Sequence, residues 1–187
     1  MVVCPAALAN SSEGVPPHGA RQTLRVLADA LGNLSDACIK KASTLASQER
    51  LAAYRELVDQ RNDAAALREE VQLYRRGHDQ AQTDQYTVTR SQSLAEKHNA
   101  VTALTTKTSQ DMAREVDGCR QRNAAAGERA IAAFARQSSR DQDSDLKLLS
   151  DAWLAFVATV NTTTPEGNDD ARTAWQSARW HIETDGH

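Results

Sequence analysis

From Arg21 onward the apolar residues step by three and four. Leu24, Leu27, Leu31, Leu34, Cys38, Ala42 and Leu45 fall on one stripe of an α-helix. The period continues through Ala52, Leu57, Ala64, Val71 and Tyr74, and no proline interrupts the chain between Pro17 and Pro165. The one strong break signal is Gly77-His78-Asp79, followed by a polar run to Gln85. Glycine is favoured just past a helix C-terminus, where Arg75 and Arg76 would complement the helix dipole. A second helix is predicted from near Thr83 or Asp84 to about Val160. Its apolar steps are Leu94, Val101, Leu104, Met112, Val116, Cys119, Ala126, Ala130, Phe134, Leu146, Leu149, Trp153 and Phe156. Gly118 and Gly127 are soft points costing roughly 1 kcal/mol each against alanine. The polar stretch from Gln137 to Asp145 predicts a kink or an exposed turn.

Residues 161–170, with Pro165 and Gly167, end this helix. Beyond them Ala171, Ala174, Trp175, Ala178 and Ile182 suggest a short amphipathic helix capped by Asp169 or Asp170. The start of the chain carries Pro5, Gly14, Pro16, Pro17 and Gly19, the composition of a linker. The expected organisation is a flexible linker over 1–19, a helical domain over 20–160 and a tail over 161–187. The fold class is all-α, a long antiparallel helical hairpin or coiled coil. A hairpin of two such helices has an apolar seam it cannot cover alone, so a third helix or a second copy is expected.

Composition sharpens this picture. Aromatic residues make up 4% of the 187 residues, too few for a thick globular core but enough for thin seams between helices. The net charge of -3 argues against a general nucleic-acid binder. Cys4, Cys38 and Cys119 are odd in number and far apart, with no CxxC pair. They are expected to be free thiols in a reducing, cytoplasmic compartment. No run approaches the roughly 20 apolar residues of a membrane span, and Met1 to Asn10 lacks the basic start of a signal peptide. Asn10-Ser11-Ser12, Asn33-Leu34-Ser35 and Asn161-Thr162-Thr163 are formal glycosylation sequons, which mean little without secretion.

Catalysis finds no candidate. His18, His78, His98, His181 and His187 are scattered, and His98 reads as a polar residue in the helix seam. No phosphate loop, nucleophile elbow or HExxH occurs. Asp141, Asp143 and Asp145 lack the glycine and spacing of a calcium loop. No catalytic residue, metal site, cofactor or small-molecule substrate is expected.

The candidate chemistry is a basic stripe. Arg61, Arg68 and Arg75 recur every seven residues after Tyr54, which keeps them nearly in line on one helix face, and Arg76 joins them at the tip. Arg90 with Lys97, and Lys107 with Arg114, repeat the spacing on the returning helix. Laid against anionic lipid, each cation adds roughly 1 kcal/mol of attraction. Against this, Asp63, Glu69, Glu70 and Asp79 cancel much of the field if they share the face. Trp153 and Phe156 are expected in a core or dimer seam with Leu31, Leu34, Met112 and Leu149. Trp175 and Trp180 are expected to dock on the long helices or stay disordered.

The run LRVLADALGNLSDACIKKASTLASQERLAAYRELVDQRNDAAALREEV, then Arg114-Glu115-Val116 and LLSDAWLAF, resembles the second and third helices of the BAR domain in the sorting-nexin family. The resemblance covers about residues 21–160. Asn123–Gly127, reading NAAAG, departs from the family's charged and aromatic pattern, and neither a first BAR helix nor a PX domain is visible upstream. The resemblance implies a BAR-like three-helix bundle completed by a partner or a missing first helix. It further implies dimerisation with itself or a related nexin-like chain, and association with curved, phosphoinositide-containing endosomal membranes in vesicle trafficking. A cytoplasmic coiled-coil scaffold or adaptor subunit without membrane contact is the alternative, and an enzyme accessory subunit is a third.

Overall fold

The computed structural model describes residues 17–138 and 142–184, the side chains of residues 17–22 excepted. Every regular element among them is a helix: α1 (Pro17–Arg75), α2 (Gln80–Ala135), α3 (Asp143–Thr159) and α4 (Asp169–Thr184). The fold is all-α. Most of the predicted linker, with Cys4 and the Asn10 sequon, lies outside the described residues. Pro17 occupies the first helical position, where its missing N–H and fixed φ cost nothing.

The hairpin tip falls where the glycine predicts it. After Arg75 the chain turns through Gly77, and Asp79 caps α2. The Asp79 side chain accepts from the Gln82 backbone N–H at 2.9 Å, while the Gln82 side chain accepts from the Asp79 N–H at 3.2 Å. This reciprocal capping box starts α2 at Gln80 rather than at Thr83 or Asp84. Tyr74 stacks between His78 at 3.7 Å and Tyr86 at 4.3 Å, fixing the turn.

The predicted second helix is two helices. α2 ends at Ala135, and α3 begins at Asp143 and folds back on the base of the hairpin. Gly127 is the physical reason this packing is possible. The ring of Trp153 sits directly over it, so that a Cβ there would lie 2.1 Å from the indole and 3.0 Å from Leu31 Cδ2. Trp153 is fully buried, and its Nε1 donates to the Leu31 carbonyl at 2.8 Å. Gly127 is therefore a docking notch in an intact helix, and Ala130, Ile131 and Phe134 further along α2 pack against the same core.

The C-terminal segment is not a loose tail. α4 brings Trp175, Ala178 and Ile182 into the same core as Leu24, Leu27, Leu31, Leu149, Phe156 and Val157. Its cap is Asn168, whose Oδ1 accepts from the Asp170 and Ala171 N–H groups, rather than Asp169 or Asp170. Arg179 pairs with Asp29 of α1 at 3.0 Å and lies 5.7 Å from the centre of the Trp175 ring. Trp180 points to solvent. The base of the hairpin is thus a four-helix core, and the third helix that the seam requires comes from the chain itself.

A second cluster caps this core. Cys38, Ala42, Val116, Cys119 and Val160 are buried together. Cys38 and Cys119 are joined by a disulfide across a sequence separation of 81, which corrects the expectation of free thiols at these two positions. The antiparallel register accounts for the pairing, because it brings the two helices' cysteines to the same level with Cα atoms 5.8 Å apart. Asn123 donates to the Leu34 carbonyl and stands 3.1 Å from the Cys38 sulfur.

Two outcomes follow. Gly127→Ala should destabilise the protein by about 1–3 kcal/mol through overpacking, and Trp153→Ala by about 3–5 kcal/mol, both read from urea melts. Alkylation of the unfolded, unreduced chain should leave Cys38 and Cys119 unlabelled, and reduction should expose both and cost up to about 4–5 kcal/mol by loop-closure entropy.

Candidate functional site

Beyond the disulfide, α1 and α2 continue to the tip as a two-helix arm. Its seam is built from charge more than from apolar packing. Glu49, Glu56, Asp63 and Glu70 recur every seven residues along α1 and are half-buried in the seam register. Glu70 accepts from Arg90 Nε at 3.0 Å and Nη2 at 3.2 Å, and from the Tyr86 hydroxyl at 3.3 Å. Asp63 accepts from Lys97 at 2.6 Å and lies 2.9 Å from His98 Nε2. Glu56 accepts from the Thr102 hydroxyl at 2.6 Å. Glu49 faces a small hollow with Ala52, Leu104, Thr105, Ser109 and Met112.

These bonds set the charge states. Hydrogen bonds from Lys97 and then His98 hold the Asp63 carboxyl below its ordinary value, against the smaller opposing effect of desolvation. The bond from Arg90 does the same for Glu70, and Glu70 in turn raises the Arg90 guanidinium.

The acid row has a consequence for the outer face. On a helix, a residue two positions away points to nearly the opposite side. Drawing Asp63 and Glu70 into the seam therefore turns Arg61 and Arg68 outward. The residues three and four positions from them are Leu57, Val58, Ala64, Ala65, Val71 and Gln72, with no acid among them. Tyr54, 65% exposed, and Leu57, 64% exposed, stand in or beside this row, and Leu51 and Arg50 extend it toward the base. The face spans 25 residues from Arg50 to Arg75, or about 38 Å. Arg61 and Arg68 face no acid three or four residues away, while Glu69 beside Arg68 and Asp79 four residues after Arg75 stay exposed.

The eight predicted basic residues divide accordingly. Arg61, Arg68, Arg75, Arg76 and Lys107 are exposed and make no ion pair among the described residues. Arg90 and Lys97 are spent on Glu70 and Asp63, and Arg114 pairs with Asp111 at 2.8 Å. The predicted seam also divides. Leu31, Leu149, Trp153 and Phe156 are buried in the chain's own core, so they offer no surface for a second copy. Leu34 packs partly against that core, and Met112 lines the hollow by Glu49. Sequence reading missed the acid row and Arg50, although the seven-residue spacing of the acids was the available signal. Among the described residues no group of His, Cys, Asp or Glu is placed to hold a metal ion, and no helix is long and apolar enough to cross a membrane.

The depressed carboxylates fix a sign for pH. A carboxyl lowered on folding adds stability above its unfolded value and loses it as pH falls through the folded value. The arm should therefore open at acid pH while the base stays closed, as measured by distances between spin labels near the tip. Asp63→Asn should loosen the arm already at neutral pH and weaken its response to acid.

Models of protein families, curated proteins and solved structures, each compared with this chain, give no match.

Proposed function

We propose that this protein is a non-catalytic helical arm that associates with anionic membrane surfaces through the outer face of α1. The observation that carries this reading is the segregation of charge on that helix: Glu56, Asp63 and Glu70 turn into the seam, and Arg61, Arg68 and Arg75 turn out beside Tyr54 and Leu57. An exposed helix face mixing arginine with apolar side chains suits the interface of a lipid bilayer, where the apolar groups enter and the cations meet headgroups. Four cations, Arg61, Arg68, Arg75 and Arg76, at roughly 1 kcal/mol each give about 4 kcal/mol, a millimolar affinity. Tyr54, Leu57 and Leu51 add to this, so binding is weak, reversible and salt-sensitive.

The sorting-nexin resemblance supports the same class of ligand but adds a dimer and an endosomal, cytoplasmic address. Four of the six residues expected to form the dimer seam, Leu31, Leu149, Trp153 and Phe156, are buried within one chain. The Cys38–Cys119 bond belongs to oxidising compartments, so on this reading the surface is met on the side of a membrane that faces one. The second reading is an adaptor without membrane contact, whose exposed arginine row meets an acidic protein instead of lipid.

Sedimentation with vesicles of phosphatidylglycerol and phosphatidylcholine separates the two. Binding at low salt, lost at high salt and absent with pure phosphatidylcholine, is expected. Arg61→Glu, Arg68→Glu and Arg75→Glu together should weaken it by about 100-fold or more, from three lost contacts. Lys147→Glu, on exposed α3 surface, should leave it unchanged. No binding to anionic vesicles at any salt overturns the lipid reading and leaves the adaptor.

A further inference from the structure

We propose that Asn33 is a site of N-linked glycosylation. Three observations converge on it, and none of them depends on the arginine face. Asn33-Leu34-Ser35 has the acceptor sequence. The Cys38–Cys119 disulfide implies passage through an oxidising compartment, the setting in which that sequence is used. The Asn33 side chain is exposed on the solvent face of α1 and makes no hydrogen bond among the described residues.

The surroundings suit a bulky, hydrated substituent. Val26, Ala30, Ala37 and Lys40 share the outward row with Asn33 at three- and four-residue spacing, and all are exposed. Val26 is 64% exposed and lies two turns before Asn33. A sugar at Asn33 covers this strip, while Gly32, Leu31 and Ser35 face the core and carry the packing. The row continues up the helix, so Asn33 and Tyr54 lie 21 residues, about 32 Å, apart. The glycan therefore shields the base and leaves the arginine face open.

The structure separates this sequon from its neighbour. Asn161 is half-buried, its Nδ2 donates to the Thr159 carbonyl at 3.0 Å, and its Oδ1 accepts from the Thr163 and Thr164 N–H groups at 2.8 Å. Both ends of that carboxamide hold the α3–α4 loop. The Asn10 sequon lies outside the described residues.

Timing follows from Ser35. Ser35 is 1% exposed and its hydroxyl donates to the Gly32 carbonyl at 2.8 Å, so the acceptor sequence is accessible only before α1 packs. The transfer is a substitution at the anomeric carbon of a lipid-linked oligosaccharyl diphosphate. The Asn33 Nδ2–C1 bond forms, the C1–O bond to the diphosphate breaks, the lipid diphosphate leaves with the electron pair, and Nδ2 loses one proton.

Peptide mapping of the full chain, purified from the cells that make it, tests this. The peptide containing Asn33 should carry sugar that a glycopeptide amidase removes, leaving aspartate at that position. Ser35→Ala and Asn33→Gln should each abolish the modification, and both variants should keep the disulfide and the helical circular dichroism. An unmodified Asn33 in the disulfide-bonded protein overturns the proposal, as does finding Cys38 and Cys119 as thiols in protein from those cells.

Discussion

The seating of Trp153 on Gly127 is the contact on which the rest of the base depends. Two long helices alone expose their seam, and a third can approach only where backbone is bare. Gly127 supplies that bare patch. Once the indole is in place, its N–H takes the Leu31 carbonyl as partner, which ties α3 to α1 as well as to α2. α4 then completes the core through Trp175 and Ile182. A few large side chains suffice because each is wholly enclosed, which is how a chain with so few aromatics builds a folded domain.

The two halves of the hairpin are stabilised by different physics. Around Leu31, Leu149 and Trp153 the free energy comes from apolar burial. Toward the tip it comes from Glu70 with Arg90 and Asp63 with Lys97 and His98, groups that remain partly hydrated and contribute modestly. The disulfide stands at the boundary between the two. An arm held by exposed ion pairs is open to salt and acid in a way the base is not. Its inner seam and outer face are linked, since the carboxylates that hold the helices together are the ones removed from the neighbourhood of the arginines.

Much of this architecture was legible from the chain alone. Three- and four-residue steps of Leu and Ala dictate long helices, and Gly77 with flanking arginines dictates where they turn. Arg61, Arg68 and Arg75 are aligned by their spacing whatever surrounds them. These are local facts, fixed by helix geometry and by the chemistry of one segment. Even the capping box at Asp79 and Gln82 is local and was readable at that level.

What the sequence could not decide was pairing. Gly127 reads as a weak point in a helix until Trp153 is known to lie on it, because the same residue is a defect against water and a notch against an indole. Cys38 and Cys119 read as separate thiols until the antiparallel register sets them side by side. Asp63 and Glu70 read as cancelling the arginines until the seam gives them partners on α2. The sequence by itself determined the helices and the spacing of their charges, since both follow from residues a few positions apart. Only the tertiary structure decided which faces meet, because contacts between segments 80 to 120 residues apart depend on register and on where α3 and α4 fold back.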